Sequence, residues 1–475
     1  MNPRVRRVKI VCTLGPACAG EDSLRALIRA GMDVARINLS HGSHAGHLRM
    51  LRDLRRAARA ESKPVAVLAD LQGPRVRVGD LVGGAIDLMP GAIIRLVGDG
   101  RVGDASTLPV SVPSLPAQLR EGDRVLLVDG TRTLRVLRQL KDATEAIVEI
   151  GGVVRSHQGI NVPGCPLGIG ATTPKDLDDL AFVIRHGVDY VALSFVSAPG
   201  DAIDLREKIR ELSGRARVVV KFELAAAVAQ MDEIVDSADD VMVARGDMGV
   251  ELPIEEVPAT QKRLIARCNA RGKPVITATQ MLQSMTEQPV PTRAEATDVV
   301  NSVLDGTDAV MLSGETAVGR HPVRVVETMA RILCAAERLF VAGVNLGQHA
   351  PDATDAVAQA AVELARDLDA RAILALTETG GTARRLSAHR PSVPVIAATP
   401  RQEIARSLAL PWGIIPLVSL RRRTTGALAS AAIDAARAAG LVDDGDRIVV
   451  TAGLPLGGAG STNLLKVQTV GQPIF

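Results

Sequence analysis

The stretch Val218-Val-Val-Lys221-Phe-Glu223 indicates how this chain of 475 residues folds. Three consecutive β-branched residues are typical of a strand that is buried on both faces of a parallel sheet. Strand alternation places Lys221 and Glu223 on the same side, directly after the apolar run. A cation beside a carboxylate at a strand end favours a catalytic cation next to a metal ligand, although a plain salt bridge fits the same residues.

Eight segments, this one included, share a pattern of a short apolar strand, then polar or glycine-rich residues, then helical periodicity. The predicted strands are Val8–Cys12, Val34–Leu39, Val65–Ala69, Tyr190–Leu193, Val218–Val220, Val241–Ala244, Val275–Ala278 and Ala309–Leu312. This alternation predicts an α/β fold, a (β/α)8 barrel with its site at the carboxyl ends of the strands. Polar residues follow the strands there: Thr13, Asn38, Ser40, His41, Asp70, Ser194, Lys221, Glu223, Asp247, Thr279, Ser313 and Glu315.

Two further domains are expected. After Asp70-Leu-Gln-Gly-Pro-Arg75 the third repeat gives way to short β-like runs, which predict a small all-β domain that closes over the site as a lid. The end of the chain alternates strands and helices again and predicts an open-sheet α/β domain. The expected segments are 1–73 and 166–340 for the barrel (domain A), 74–165 for the inserted β domain (B) and 341–475 for the C-terminal α/β domain (C).

The composition excludes several classes of function. A net charge of +3 does not favour a polyanion such as a nucleic acid as partner, and five Phe, one Tyr and one Trp are too few for a surface that stacks bases. No apolar run is long enough to cross a membrane, and the basic N-terminus lacks the apolar stretch of a secretory signal. Five scattered cysteines indicate a reduced, cytoplasmic protein.

The residues at the strand ends leave alternatives open. Glu223 and Asp247 could hold one Mg²⁺ together with substrate oxygens and water, or could pair with Lys221 and Arg245. Lys221 could stabilise a transferred phosphoryl group or an enolate, or form a Schiff base as in barrel aldolases. Thr279 is either a helix N-cap or a hydroxyl that handles a proton in the pocket.

Other motifs indicate anion binding more than metal binding. Arg36 alternates with Asn38 and Ser40, and its guanidinium suits a phosphate or a carboxylate. The histidines His41, His44 and His47 recur every third residue, but a helix does not bring all three onto one face, so they predict no metal site. In the C-terminal domain, the loop from Thr377 to Thr382 and the glycine-rich loop from Gly453 to Thr462 each follow a strand and could bind phosphate.

Taken together, these motifs resemble the pyruvate kinase family over nearly the whole chain. The matching blocks are VKIVCTLGPA, MDVARINLSHG, VVVKFE, VARGDMGVELP, KPVITATQMLQSM and PTRAEATDVVNSVLDGTDAVMLSGETAVGRHP, and they stand in the family's order. The inserted domain and the C-terminal α/β domain match as well. The resemblance implies transfer of the phosphoryl group of phosphoenolpyruvate to ADP, which gives pyruvate and ATP.

The resemblance also implies roles for individual residues. It makes Lys221, Thr279 and Arg36 catalytic and assigns Mg²⁺ (or Mn²⁺) to Glu223 and Asp247. The implied substrate-binding residues are Arg36, Lys221, Ala244, Arg245, Gly246, Asp247 and Thr279. The implied nucleotide-binding residues are Asn38, His41 and Arg77. The implied effector-binding residues are Thr377, Thr379, Gly380, Thr382, Gly453, Gly458, Gly460 and Ser461. A phosphorylated effector of unknown identity and a homotetramer are implied too.

One departure from the family's pattern bears on its activating K⁺ ion. Many members bind K⁺ near an Asp-Thr-Lys-Gly-Pro-Glu motif. Here Asn38, Ser40 and Asp70 remain as a remnant of that site, whereas Leu71 and Arg75 replace the Thr and the Glu. This resembles the branch in which a basic side chain takes the place of the ion, so we expect no K⁺ requirement. The rival functions are a Schiff-base barrel lyase or aldolase and a catalytically decayed metabolite sensor.

Overall fold

A closed barrel of eight parallel strands forms the centre of the chain. The computed structural model describes residues 6–128, 130–165, 170–340, 352–422, 424–454 and 462–474. The first to eighth barrel strands are Lys9–Thr13, Val34–Asn38, Ala66–Asp70, Tyr190–Leu193, Arg217–Phe222, Asp240–Ala244, Val275–Ala278 and Ala309–Leu312. The predicted barrel is confirmed, and the strand ends differ from the predicted ones by at most two residues.

Alternate residues of all eight strands fill the interior of the barrel. The buried apolar cluster there includes Val11, Val34, Leu68, Ala192, Val219, Met242 and Ile276. A residue two positions further along a strand faces the same way, so the side chains that follow this cluster point toward the barrel axis. Five strands place a polar residue at that level: Thr13, Arg36, Asp70, Ser194 and Lys221.

Helices surround the barrel, and three of them begin with side-chain caps. The barrel-domain helices are Glu21–Ala30, His44–Ala60, Pro174–Arg185, Pro199–Glu211, Ala225–Ala229, Met231–Ser237, Arg245–Glu251, Glu256–Ala270, Arg293–Asp305, Gly314–Ala317 and Pro322–Ala336, with 3₁₀ turns at Pro16–Cys18 and Gln283–Thr286. Ser43, Thr173 and Thr292 each accept the N–H of the residue three positions later, which satisfies a free donor of the first turn. Within the described ranges, no helix has the length and apolarity to cross a bilayer.

The insertion after the third strand is a sheet-rich domain with its own apolar core. Its strands are Val76–Arg77, Ala85–Leu88, Ile93–Val97, Thr107–Pro109, Arg124–Leu127, Arg132–Gln139, Thr144–Ile150, Gly152–Arg155 and Gly159–Asn161, with a 3₁₀ turn at Val82–Gly84 and a short helix at Leu115–Gln118. Seven of these strands form one sheet, and the other two pair separately. The prediction of an inserted β domain is therefore confirmed, whereas its action as a lid stays a prediction.

The C-terminal domain covers the amino end of the barrel. Its five-stranded sheet has the order Ile414–Val418, Val395–Thr399, Ala372–Leu376, Arg447–Ala452 and Leu464–Thr469, and only the last strand is antiparallel to its neighbour. Its helices are Ala353–Asp367, Gly381–Ala388, Gln402–Ser407 and Thr425–Ala438. Tyr190 and Lys9, which begin two barrel strands, donate to the carbonyls of Ser407 and Ile414. The carboxyl end of the barrel is therefore left for the site; the domain boundaries stay predictions.

Candidate active site

Lys221 lies at the centre of the polar side chains at the carboxyl end of the barrel. Its ammonium is 2.7 Å from Glu223 Oε1 and donates to Ser194 Oγ at 2.7 Å, and it lies 3.4 Å from Asp70 Oδ1. Burial alone lowers the pKa of Lys221, but the surrounding carboxylates, Asp70 first, outweigh burial and raise that pKa above its ordinary value. Lys221 is thus held as a cation by neighbours from three strands.

Asp70 links Lys221 to a second cation. Its Oδ2 accepts from Arg36 Nε at 2.7 Å and also lies 2.7 Å from Arg36 Nη2. Arg36 Nη1 in turn donates to Thr13 Oγ1 at 3.0 Å. Burial raises the pKa of Asp70, yet Lys221 and Arg36 together lower it below the ordinary value, so the carboxylate stays charged. One buried carboxylate therefore keeps two cations side by side, as the binding of a phosphate requires.

Glu223 and Asp247 differ in their surroundings. Glu223 is buried, and its Oε2 accepts the Phe195 N–H at 2.7 Å. Burial and the Asp247 charge raise the pKa of Glu223 against the opposing effect of Lys221. Asp247 lies in the first turn of the helix Arg245–Glu251, which follows the sixth strand, and 38% of its side chain is exposed. The alternative pairing of Asp247 with Arg245 is not found among the described residues.

The donor set fits a hard divalent cation. Glu223 and Asp247 offer carboxylate oxygens, the ligands that Mg²⁺ prefers, and Asp247 is open to solvent and substrate. Within the described ranges no group of three or more His, Cys, Asp or Glu side chains could hold a metal. Two protein ligands agree with a site that substrate oxygens and water complete.

Thr279 follows the seventh strand in an unusual conformation. Its φ is +67° and that of Gln280 is +55°, a region that residues with side chains rarely adopt. The Thr279 hydroxyl accepts the Gly246 N–H at 2.8 Å and donates to the Ala278 carbonyl at 2.6 Å. The alternative of an N-cap for a following helix is wrong, because the next turn begins after Leu282 and the hydroxyl binds the first turn of another helix, Arg245–Glu251.

Two family models match most of the chain. One, described as the barrel domain of pyruvate kinase, matches residues 5–326, and the other, described as the pyruvate kinase alpha/beta domain, matches residues 355–468. The chain belongs to the pyruvate kinase family. The resemblance seen in the motifs is therefore confirmed, and the chain is a phosphotransferase.

Individual pyruvate kinases agree with the family models. The chain is 43% identical over 472 residues to a pyruvate kinase of Geobacillus stearothermophilus, a match that covers 98% of this chain and 80% of that one. It is 41% identical over 475 residues to one of Clostridium acetobutylicum, which covers 98% and 100% of the two chains. A crystal structure of a pyruvate kinase from Cryptosporidium parvum has a TM-score of 0.93 at 36% identity and covers 99% of this chain and 98% of that one.

The residues that the pyruvate kinase resemblance assigns to the nucleotide lie on two domains. Asn38 Oδ1 accepts the Ser40 N–H at 3.1 Å, and His41 is exposed beside them. Arg77 belongs to the inserted domain, where its guanidinium donates to the His157 carbonyl at 2.9 Å. The expected nucleotide side is thus formed by the rim of the barrel and by the inserted domain.

Lys175 is a cation at this rim that sequence reasoning missed. Its ammonium donates to the Leu39 carbonyl at 2.8 Å and to Asp179 Oδ2 at 2.6 Å. Asp179 also binds His44 Nε2 at 2.6 Å, and the His44 ring stacks on Phe182. Lys175 is far in sequence from Leu39 and lies in the first turn of the helix Pro174–Arg185, which Thr173 caps. Its position at the start of a helix on the site face was the sequence feature that could have indicated it.

Arg75 lies elsewhere than we expected, and the side chain of Arg245 also reaches an acid. Arg75 Nη2 lies 3.9 Å from Asp247 Oδ1, and no contact among the described residues joins Arg75 to Asn38, Ser40 or Asp70. Arg245 turns its buried side chain away from the pocket, toward Asp298 at 2.7 Å, so only its backbone could contact a pyruvate kinase substrate. In both cases the long side chain reaches an acid that neighbouring sequence does not reveal.

The predicted effector residues belong to two adjacent loops of the C-terminal domain. The Gly380 N–H donates to Thr377 Oγ1 at 2.9 Å, and Gly380 has a φ of +87° at the start of helix Gly381–Ala388. The Thr382 and Thr462 hydroxyls are 2.8 Å apart, so the end of the glycine-rich loop contacts the start of this helix. Thr379 is exposed and Gly453 is half-buried, and three of the expected residues lie outside the described ranges: Gly458, Gly460 and Ser461.

Proposed function

We propose that Lys221 and Arg36 carry the phosphoryl transfer of this pyruvate kinase from phosphoenolpyruvate to ADP. The observation that supports this most is the pair of cations held by Asp70, with Arg36 at 2.7 Å and Lys221 at 3.4 Å. In the reaction the P–O bond to the enolate oxygen breaks, that oxygen keeps the electron pair, and a new P–O bond forms to the terminal phosphate of ADP. Arg36 binds the phosphoryl group, and Lys221 neutralises the charge on it and on the enolate oxygen.

Glu223 and Asp247 complete this proposal as the residues that hold Mg²⁺ or Mn²⁺. A divalent ion held by these two carboxylates would supply further positive charge for the phosphoryl transfer. Glu223 also fixes the Lys221 ammonium at 2.7 Å, so one carboxylate serves both the metal and the cation. Because Lys221 is surrounded by carboxylates that raise its pKa, it does not offer the neutral amine that a Schiff-base aldolase needs.

Proton transfer to the enolate is assigned to the other side of the pocket. The backbone of Ala244, Arg245, Gly246 and Asp247 seats the substrate carboxylate, and the Thr279 hydroxyl assists as a proton passes from water to C3 of the enolate. A C–H bond forms there, and the enolate oxygen becomes the carbonyl oxygen of pyruvate. The close contact of Gly246 N–H with Thr279 Oγ1, at 2.8 Å, supports this arrangement.

The proposal extends to nucleotide, ions, regulation and assembly. Asn38, His41 and Arg77 bind ADP or ATP, and the inserted domain closes over them. No K⁺ is required, because Arg75 brings a fixed charge to Asp247, although at a different place from the remnant of Asn38, Ser40 and Asp70 where we expected it. A phosphorylated effector binds the loops joined by Thr382 and Thr462, and the chain assembles as a homotetramer in the cytoplasm, where its five free cysteines stay reduced.

Replacement of Lys221 tests the proposed roles. Lys221→Met is expected to lower kcat for ATP formation by about 10²–10³-fold or more, since it removes the central cation, while ADP binding measured by calorimetry persists. The matched control is Lys9→Met, which replaces another buried lysine at the opposite end of the barrel. Unchanged turnover in Lys221→Met would overturn the assignment, and a wild-type protein that binds ADP without forming ATP would favour the decayed sensor.

A further inference from the structure

The backbone of Thr279 is held in a conformation that its own side chain disfavours. Thr279 and Gln280 both have positive φ, and Thr is β-branched, which makes this region especially unfavourable for it. Strained backbone of this kind persists only where the surroundings hold it, and it concentrates at functional sites. The contacts that hold Thr279 are therefore of interest for its proposed role in proton transfer.

Arg245 contacts Thr279 and residues on either side of it. Its Nη2 donates to the Thr279 carbonyl at 2.7 Å and to Met281 Sδ at 2.9 Å, and its Nε lies 3.4 Å from the Ala278 carbonyl. Its Nη1 donates to Asp298 Oδ1 at 2.8 Å. A planar guanidinium with several donors in a fixed fork is suited to lock consecutive groups in this way.

The residue after Arg245 acts on the side chain of the same threonine. The Gly246 N–H donates to Thr279 Oγ1, and a Cβ built on Gly246 would lie 3.3 Å from that oxygen, closer than most real contacts. Arg245 thus holds the Thr279 carbonyl through its side chain, and Gly246 holds the Thr279 hydroxyl through its backbone N–H. Arg245 Nε also donates to the Ala278 carbonyl that accepts from the Thr279 hydroxyl, so the two residues are joined through one acceptor.

We propose that Arg245 is a positioning residue that sets the proton transfer to the enolate through Thr279 and leaves the phosphoryl transfer to Lys221 and Arg36. The inference rests on the proposed role of Thr279. Arg245 itself does not contact the reacting atoms, because its guanidinium is buried and directed toward Asp298. Loss of Arg245 releases the strained turn, so the hydroxyl moves away from C3 of the enolate, whereas Lys221 and Arg36 stay in place because their own contacts, to Glu223, Ser194 and Asp70, do not involve Arg245.

Two measurements on the full-length protein separate these steps. The first is ATP formation from phosphoenolpyruvate and ADP with Mg²⁺. The second is incorporation of deuterium into the methyl group of pyruvate in D₂O with Mg²⁺ and ATP, followed by proton NMR. In Arg245→Gln the ratio of deuterium incorporation to ATP formation is expected to fall about 10- to 100-fold, as in Thr279→Ala, because a misplaced proton donor loses its alignment.

The controls distinguish positioning from a general loss of structure. Arg217→Gln removes another largely buried arginine, paired with Asp240 at 2.7 Å at the amino end of the barrel, and should leave the ratio unchanged. Arg245→Lys keeps the charge without the fork, should lower the ratio, and decides the matter if Arg245→Gln does not fold. An unchanged ratio in a folded Arg245 variant overturns this inference alone, whereas a wild-type protein that forms no ATP overturns the proposed function with it.

Discussion

The two ends of the barrel differ in how completely their buried charges are paired. At the amino end, Asp308 and Arg390 form a closed pair between the barrel and the C-terminal domain, with Arg390 Nη2 2.7 Å from Asp308 Oδ2 and Nη1 2.9 Å from Oδ1. The backbone N–H groups of Trp412 and Val275 donate to the same carboxylate. Both side chains are at most 4% exposed. Each oxygen of Asp308 is therefore fully engaged by the protein itself.

At the carboxyl end the charges are shared and incompletely satisfied. Asp70 binds Arg36 through Oδ2, whereas its Oδ1 has no hydrogen bond within the described ranges, although the Lys221 ammonium lies 3.4 Å away. Glu223 is buried with a raised pKa, and Asp247 is partly exposed. Buried charge alone therefore does not indicate a site. A site is indicated by buried charge that still has bonding capacity and an opening to solvent.

The largest expected effect is the fall in stability when the closed pair of Arg390 and Asp308 is lost. Arg390→Met leaves Asp308 buried and without its cation, and we expect the free energy of unfolding to fall by about 3–5 kcal/mol. Turnover per folded molecule should stay near that of the wild type, because the pair lies at the end of the barrel remote from Lys221. Scanning calorimetry and a coupled assay of ATP formation measure the two quantities.

The matched control for this variant is Arg385→Met. Arg385 lies in the same domain and pairs with Asp352, but both side chains are exposed, so its loss should change the stability by less than about 1 kcal/mol. Equal losses of stability in the two variants would contradict the view that the buried pair at the amino end stabilises the fold.

The second effect concerns the open end of the barrel. Glu223→Gln should lower kcat by about 10²–10³-fold and raise the Mg²⁺ concentration needed for half-maximal rate. Its melting temperature should not fall, because the raised pKa of Glu223 means that its surroundings disfavour the charge that glutamine lacks. Asp240→Asn, which neutralises a buried acid at the amino end, should leave the Mg²⁺ requirement unchanged. Full turnover of Glu223→Gln at the same Mg²⁺ concentration would contradict the proposed metal site.

Sequence periodicity was sufficient for the fold because each unit is local. The strand Val34–Asn38 and the helix that Ser43 caps can be read from a few consecutive residues. The helix Ala353–Asp367 and the strand Ala372–Leu376 belong to the alternation of helices and strands that predicts the C-terminal domain. The pairing of Lys221 with Glu223 also follows from strand alternation. Local patterns therefore carry most of the architecture and the centre of the candidate site.

The rest of the site depends on contacts that sequence spacing does not encode. Arg245 reaches Asp298 across 53 positions, and Asp70 meets Lys221 from a different strand. The positive φ of Thr279 arises from tertiary contacts, since a β-branched residue predicts the opposite. Arg75 has a long side chain that could reach several acids, and only the folded chain selects Asp247. The sequence therefore does not predict which partners the long side chains reach or where the backbone is strained.

A third, smaller effect is the pH dependence of stability that follows from the burial of Lys9 at the amino end of the barrel. Burial lowers the pKa of Lys9 from 10.5 to about 8 despite the nearby Asp33. Between about pH 8 and pH 10.5 the unfolded chain binds a proton that the folded chain has lost, so this group makes the protein more stable as the pH rises. The melting temperature of the wild type minus that of Lys9→Met should increase from pH 7 to pH 9.5 by an amount equivalent to about 1–3 kcal/mol.

The exposed lysine Lys141 provides the control for this titration. The melting temperature of Lys141→Met should follow that of the wild type at each pH, since an exposed ammonium loses little hydration on folding. If the difference between wild type and Lys9→Met does not change over this range, Lys9 is not buried as a weakly paired cation, and the amino end is more open to water than its contacts indicate.

The smallest expected effect is that of K⁺ on the wild type. Replacing K⁺ by tetramethylammonium at constant ionic strength should change kcat by less than about twofold, because Leu71 offers no side-chain oxygen and Arg75 already brings positive charge to the site. In Arg75→Gln that charge is lost, and K⁺ should now stimulate turnover. A strong K⁺ stimulation of the wild type would mean that the guanidinium 3.9 Å from Asp247 does not take the place of an ion, so the carboxyl end would need a cation from solution as well as its own.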